Sequence, residues 1–148
     1  MSGFPPATPL RISTTLTEFD FDGVYRFLSQ EAYWSKGLPR EVFDRAVANS
    51  LCFGGFLGDV QVAFGRVITD RATFAYLADV FVLPAHRGQG YSKQLMDAVV
   101  AHPELQGLRR MVLVTGDAHG LYARYGFTEL AAPDRYMERH QPSIYTSV

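Results

Sequence analysis

The sequence predicts a single α/β domain. Three observations carry that expectation: two stretches with apolar residues at helical spacing, three strand-like apolar runs in quick succession, and a later amphipathic stripe followed by one more buried-looking strand. The 148 residues, 47% of them hydrophobic, suffice for one domain with its own core and one main site.

In order, Met1 to Pro9 carries three prolines and reads as a loose lead-in, and Leu10-Arg11-Ile12-Ser13 follows as a short strand. Helices are expected over 22–29, from Val24, Phe27 and Leu28, and over 39–49, from Val42, Phe43, Ala46 and Val47. Tyr33-Trp34-Ser35-Lys36-Gly37 joins them. Strands follow over 51–57, 61–69 and 73–83, broken at Gly58-Asp59 and Asp70-Arg71, which makes antiparallel hairpins. After Pro84 the period changes. Tyr91, Leu95, Ala98 and Val99 form one apolar stripe, and Pro103 forbids the helix to continue. A strand over 111–115, a short helix over 117–125 stopped by Gly126, and strands near 127–130 and 135–139 complete the order.

Charge and cysteine content narrow the function classes. With 14 basic against 15 acidic residues the net charge is -1, so no broad positive field exists for nucleic acid or a membrane surface. An anionic ligand has to be held by local geometry. The single cysteine, Cys52, fits a reducing compartment, and the absence of a spanning run or a leader-like start gives cytoplasmic as the expected location. His86, His102 and His140 show no ligand spacing, so no metal site is expected.

The informative stretch runs from Asp79 to Ser92: a strand, a glycine-containing turn, then a helix. The first backbone N–H groups of a helix lack intrahelical partners and sit at the positive end of its dipole, so they face whatever fills the turn. Gly88 and Gly90 have no side chains to block a diphosphate, and Arg87 adds a donor fork matched to phosphate oxygens. A dinucleotide fingerprint would need glycine where Lys93 stands, and no Gly-Lys-Ser or Gly-Lys-Thr occurs.

Arg87-Gly88-Gln89-Gly90-Tyr91-Ser92 resembles the Arg/Gln-x-x-Gly-x-Gly/Ala motif of the GCN5-related N-acetyltransferases, with Ser92 at the last position. Ala118 to Phe127 is similar to the same family's Ala-x-x-x-Tyr-x-x-x-Gly-Phe segment. The resemblance implies a mixed, mostly antiparallel central sheet flanked by helices, with its fourth and fifth strands splayed, and acetyl-CoA as cosubstrate. It further implies that Val80, Phe81, Val82, Arg87, Gly88, Gln89, Gly90, Tyr91 and Ser92 bind coenzyme A. Thr115 stands where the family carries an asparagine at the pantetheine arm.

Each implied role has a plainer counterpart. Tyr122 resembles the family's general acid, the alternative being an aromatic core residue of the kind Tyr125 represents. Asp79 is a candidate water-mediated base, or else a carboxylate satisfied locally. Strand parity sets it with Leu77 and Phe81 on an apolar face unless a bulge re-aims it. Asp117 reads as a helix N-cap and His119 as a solvated residue or proton relay. The family's first two helices wall the acceptor pocket, which makes Phe27, Tyr33 and Trp34 candidate lining residues or ordinary packing. The expected activity is N-acetylation of a primary amine, on a small molecule or a protein. A non-catalytic acyl-CoA sensor is the rival. The apolar tail around Ile144 and Tyr145 would allow a homodimer.

Overall fold

The structure, a computed structural model, describes residues 8–146. Of the expected lead-in only Thr8 and Pro9 fall within that range, and both are exposed; the rest lies outside the described residues. In chain order the main elements are β1 (Arg11–Ser13), α1 (Phe21–Arg26), α2 (Arg40–Ala48), β2 (Leu51–Leu57), β3 (Val60–Thr69), β4 (Phe74–Val82), α3 (Tyr91–Ala101), β5 (Arg110–Leu113) and α4 (His119–Ala123). They fall into two compact units. One takes the chain up to Asp20 together with Asn49–Val114, the other Phe21–Ala48 together with the chain from Thr115.

The first unit holds the sheet, in the order β1-β2-β3-β4-β5. Neighbours are antiparallel except β4 and β5, which the crossover through α3 makes parallel. β2 is buried along nearly its whole length, which explains its unbroken apolar run. Phe53, Phe56, Phe64, Val62 and Val67 are fully buried, and α3 presents Leu95, Met96 and Val99 as its buried stripe. That helix packs across β2, β3 and β4. Phe19 closes the far end, edge-on to Phe56 and Phe64 at 5.9 and 6.1 Å.

The β3–β4 hairpin owes its turn to Asp70, whose carboxylate accepts from the backbone N–H groups of Ala72, Thr73 and Phe74 at 2.9, 2.8 and 3.1 Å and from the Thr73 hydroxyl. The Thr73 hydroxyl first, then these backbone donors, hold the Asp70 carboxyl well below its ordinary value of 3.8. A carboxyl depressed on folding stabilises the native state above its unfolded pKa and loses that effect as pH falls toward the folded one. The melting-temperature gap between the wild type and Asp70→Ala is therefore expected to be full at neutral pH and to shrink as the medium is acidified below about pH 4. Thermal denaturation of both proteins across that range checks it; a gap independent of pH would refute the assignment.

In the second unit α1 continues into a π-turn at Phe27–Glu31, closed by Ala32 N–H donating to the Phe27 carbonyl at 2.9 Å. Phe43 of α2 packs on the rings of Phe21 and Tyr25 at 6.1 and 5.4 Å. The Tyr25 hydroxyl donates to the Leu38 carbonyl and Ser35 Oγ to the Leu28 carbonyl, which tie down the loop between the helices.

The strands expected over 127–130 and 135–139 do not form. Pro133 opens a 3-10 turn at Pro133–Arg135, and Met137 is 97% exposed, so the alternation there has no apolar face to bury. The tail turns back on its own chain. Its Tyr145 carbonyl oxygen lies 2.7 Å from where a Cβ on Gly37 would stand.

Candidate active site

The ladder between β4 and β5 runs from Phe74 opposite Arg110 to Leu77 opposite Leu113, while β4 itself continues to Val82. β5 ends at Leu113, so the two strands part at Leu77 and β4 runs on to Val82 without a strand beside it on that side. The parting coincides with a β-bulge in β4. Its pairing with β3 jumps from Ala78 opposite Arg66 to Phe81 opposite Phe64, so Asp79 and Val80 together face Gly65. Asp79 occupies the left-handed region at φ 55°, which re-aims its side chain away from the strict alternation. Its Oδ2 accepts from Arg66 Nε at 2.8 Å, and Arg66 also donates to Ser50 Oγ at 3.1 Å. The candidate base is thus ion-paired within its own sheet.

Past the bulge, Leu83 N–H donates to the Val62 carbonyl at 2.9 Å. By alternation the Phe81 main chain also faces β3, and that of Val82 faces the edge that β5 has vacated. The Phe81 ring is buried, tilted against Phe64 at 5.8 Å, and the Val82 side chain is buried with Val62, Ala63 and Tyr91. Phe81 is therefore packing, and Val82 offers only main-chain groups to a ligand. Its carbonyl accepts from Arg87 Nε at 2.9 Å, so the guanidinium lies along this edge.

Gly88 and Gly90 both have φ 79°, and a Cβ built on either meets no atom within 4 Å. They leave an open cradle in front of α3, whose first turn starts from Gly90, with Gln94 N–H donating to its carbonyl at 3.2 Å. The hollow there is lined by Val82, His86, Arg87, Gly88, Gly90, Tyr91, Ser92 and Lys93. The lining combines N-terminal helix amides with cationic side chains, groups of the kind that could hold an anionic diphosphate. Tyr91 turns its ring into the core and donates its hydroxyl to the Thr8 carbonyl at 3.0 Å, leaving the cradle its backbone. Gln89 is exposed and Ser92 half-buried. Sequence reasoning missed His86 and Lys93. Lys93 was legible in principle, since a side chain in the first helical turn leans toward the N-terminus.

In the second unit Tyr122 is buried in α4, its ring edge-on to Phe127 at 6.0 Å. Burial, and after it the charge of Asp117, push the Tyr122 phenol above its ordinary value of 10.0, so it stays protonated at neutral pH. Gly126 at φ 88° ends the helix, with Phe127 N–H returning to the Tyr122 carbonyl at 3.3 Å. Thr115 Oγ1 accepts from Ala118 N–H at 3.1 Å in the turn before α4, whose N-cap is Ala118 with no side-chain cap, so Asp117 does not fill the N-cap position expected of it. Tyr33 and Trp34 are 77% and 44% exposed and stand edge to face at 5.2 Å, with the Tyr33 hydroxyl 3.8 Å from a Cβ built on Gly116. Phe27, the third lining candidate, is buried in the π-turn.

Among the described residues no group of three or more His, Cys, Asp or Glu side chains is placed to hold a metal ion, and no helix is long and apolar enough to cross a membrane.

The profile of the Acetyltransferase (GNAT) family matches residues 20–127. A curated protein of Gibberella zeae is 31% identical over 135 residues, covering 76% of this chain and 75% of its own length. The crystal structure of a Xanthomonas campestris pv. campestris protein belonging to the GNAT family superposes with a TM-score of 0.93 at 56% identity, over 97% of this chain and 100% of that one. A GNAT family acetyltransferase from Elizabethkingia anophelis, solved with acetyl-CoA bound, shares the fold at a TM-score of 0.61 and 17% identity, over 89% of this chain and 88% of that one.

Proposed function

Since the chain belongs to the GNAT acetyltransferase family, whose cosubstrate is acetyl-CoA, we propose that it transfers the acetyl group to a primary amine by direct attack. The observation that carries this reading is the cradle at 87–92: two glycines at φ 79° with open Cβ positions before the first turn of α3. Acetyl-CoA supplies a thioester carbonyl already activated toward amines. The chain's own groups do the rest. Backbone amides around Gly90 hold the diphosphate, assisted by the charges of Arg87 and Lys93. The freed edge of β4 offers main-chain groups of Val80 and Val82 to the amide-bearing arm, and the N–H near Val80 polarises the carbonyl oxygen as charge develops.

The amine nitrogen forms a bond to the acetyl carbon and the carbon–sulfur bond breaks. Tyr122 is the group we assign to protonate the departing sulfur, on its place in the second motif and on a phenol held protonated by burial. The amine's proton passes to water, since the Asp79 carboxylate is engaged by Arg66. A covalent acetyl-enzyme at Cys52 is disfavoured, because burial pushes that thiol up to about 11. The exposed ring pair of Tyr33 and Trp34 suits an amine with an apolar body.

The test is to mix the protein with acetyl-CoA and a panel of primary amines and follow free thiol. We expect release that depends on the amine present. Uptake of acetyl-CoA by calorimetry with no release from any amine would instead make the chain a sensor, and no uptake would remove the reading altogether.

A further inference from the structure

The bulge that frees the β4 edge is built at a cost, and the structure shows what offsets it. A non-glycine residue at φ 55° is strained, aspartate and asparagine less so than others. Here the strained residue is one half of a mostly buried ion pair, with Arg66 and Asp79 side chains 16% and 13% exposed. Arg66 lies on β3, reaches Ser50 in the bend just before β2 with one nitrogen, and reaches the β4 bulge with another. Across the bulge stands Gly65, where a Cβ would come within 3.3 Å of Leu95 and 3.6 Å of Val80. The bulge is thus closed in by α3 on one side and fastened by Arg66 on the other. It begins where the β4–β5 ladder ends at Leu77 and Leu113.

We propose that Arg66 and Asp79 are positioning residues: their ion pair fixes the point at which β4 turns away from β5, and so sets the main-chain edge that receives the acyl-CoA arm. This rests on the acetyl-CoA reading above. Asp79 then acts through the backbone of Val80 to Val82, and its carboxylate carries no proton in the reaction. Losing either partner leaves the other charge without its ion-pair partner in a mostly buried site and lets the bulge relax. Small displacements of groups that orient a reactant cost rate steeply.

Calorimetry with acetyl-CoA and steady-state kinetics on single variants test this. Arg66→Met and Asp79→Ala are each expected to weaken acetyl-CoA binding about tenfold and to lower kcat/KM by about ten- to a hundredfold. Asp79→Asn, which tolerates the left-handed conformation and still offers an oxygen to Arg66, is expected to recover most of both losses and to keep the wild-type shape of the pH–rate profile. Equal loss of kcat in Asp79→Asn and Asp79→Ala with wild-type affinity would overturn the proposal in favour of a proton acceptor. If Arg66→Met does not fold, Asp79→Gly decides, because glycine takes φ 55° freely but offers Arg66 nothing. Binding about tenfold weaker in a folded Asp79→Gly protein, whatever the shift in its melting temperature, supports the brace. Wild-type binding by Asp79→Gly overturns it while leaving the acetyl-CoA reading intact, and failure of the wild type itself to bind acetyl-CoA overturns both.

Discussion

Gly90→Val is expected to weaken acetyl-CoA binding by at least about a hundredfold while lowering the melting temperature only modestly. Two effects separate here. Valine at φ 79° is strained, by roughly 1–2 kcal/mol for a left-handed residue with a Cβ. That is a stability term of the backbone itself, and packing adds nothing to it, because a Cβ at Gly90 meets no atom beyond its chain neighbours within 4 Å. The branched side chain therefore enters the open cradle, where it displaces the diphosphate from the amides of the first turn of α3. Because the helix start depends on the Gly90 carbonyl, which accepts from Gln94 N–H, and not on any side chain at this position, α3 itself should persist. Calorimetry and thermal denaturation on one preparation separate the two. Wild-type affinity in a folded Gly90→Val protein would show that the diphosphate is held elsewhere.

What the sequence makes legible follows from which physical constraints are local. The strands β2 to β4 and helix α3 sit where apolar periods of two and 3.6 are cut by Gly58, Asp70, Pro84 and Pro103, so their positions could be read from neighbouring residues alone. The cradle is equally local, since a turn and the helix start after it are contiguous in the chain. Asp79 is the opposite case. Strand parity left it either on an apolar face or re-aimed by a bulge, and the choice is made by residues far along the chain, Arg66 and Gly65, through a register that no local pattern specifies. The same holds for the strands expected over 127–130 and 135–139. Their residues have strand character, yet a strand exists only where a partner and a buried face are supplied, and an exposed Met137 shows that this face was not. The inward rings of Phe27 and Phe81 were illegible for a related reason: a residue's place in the chain does not fix whether its ring turns into the core.

Tyr122→Phe should lower kcat by about a hundredfold or more, the usual worth of a positioned proton donor, with acetyl-CoA affinity nearly unchanged. The substitution removes one hydroxyl and keeps the ring, so the edge-on packing against Phe127 at 6.0 Å and the closure of α4 through Phe127 N–H both survive. A purely structural tyrosine would show the reverse, with equal loss of affinity and turnover or a lowered melting temperature. The pH dependence sharpens the test. With burial and Asp117 holding the phenol above 10.0, the wild-type donor stays protonated through the neutral and mildly alkaline range. A general acid works for as long as it holds its proton, so its contribution follows the ionisation of the phenol and not that of the departing thiol. The gap between the wild type and Tyr122→Phe is therefore expected to hold through the neutral and mildly alkaline range and to narrow only as the phenol ionises, above its ordinary value of 10.0. A gap that closes well below that value would mean that the hydroxyl does something other than protonate the leaving group.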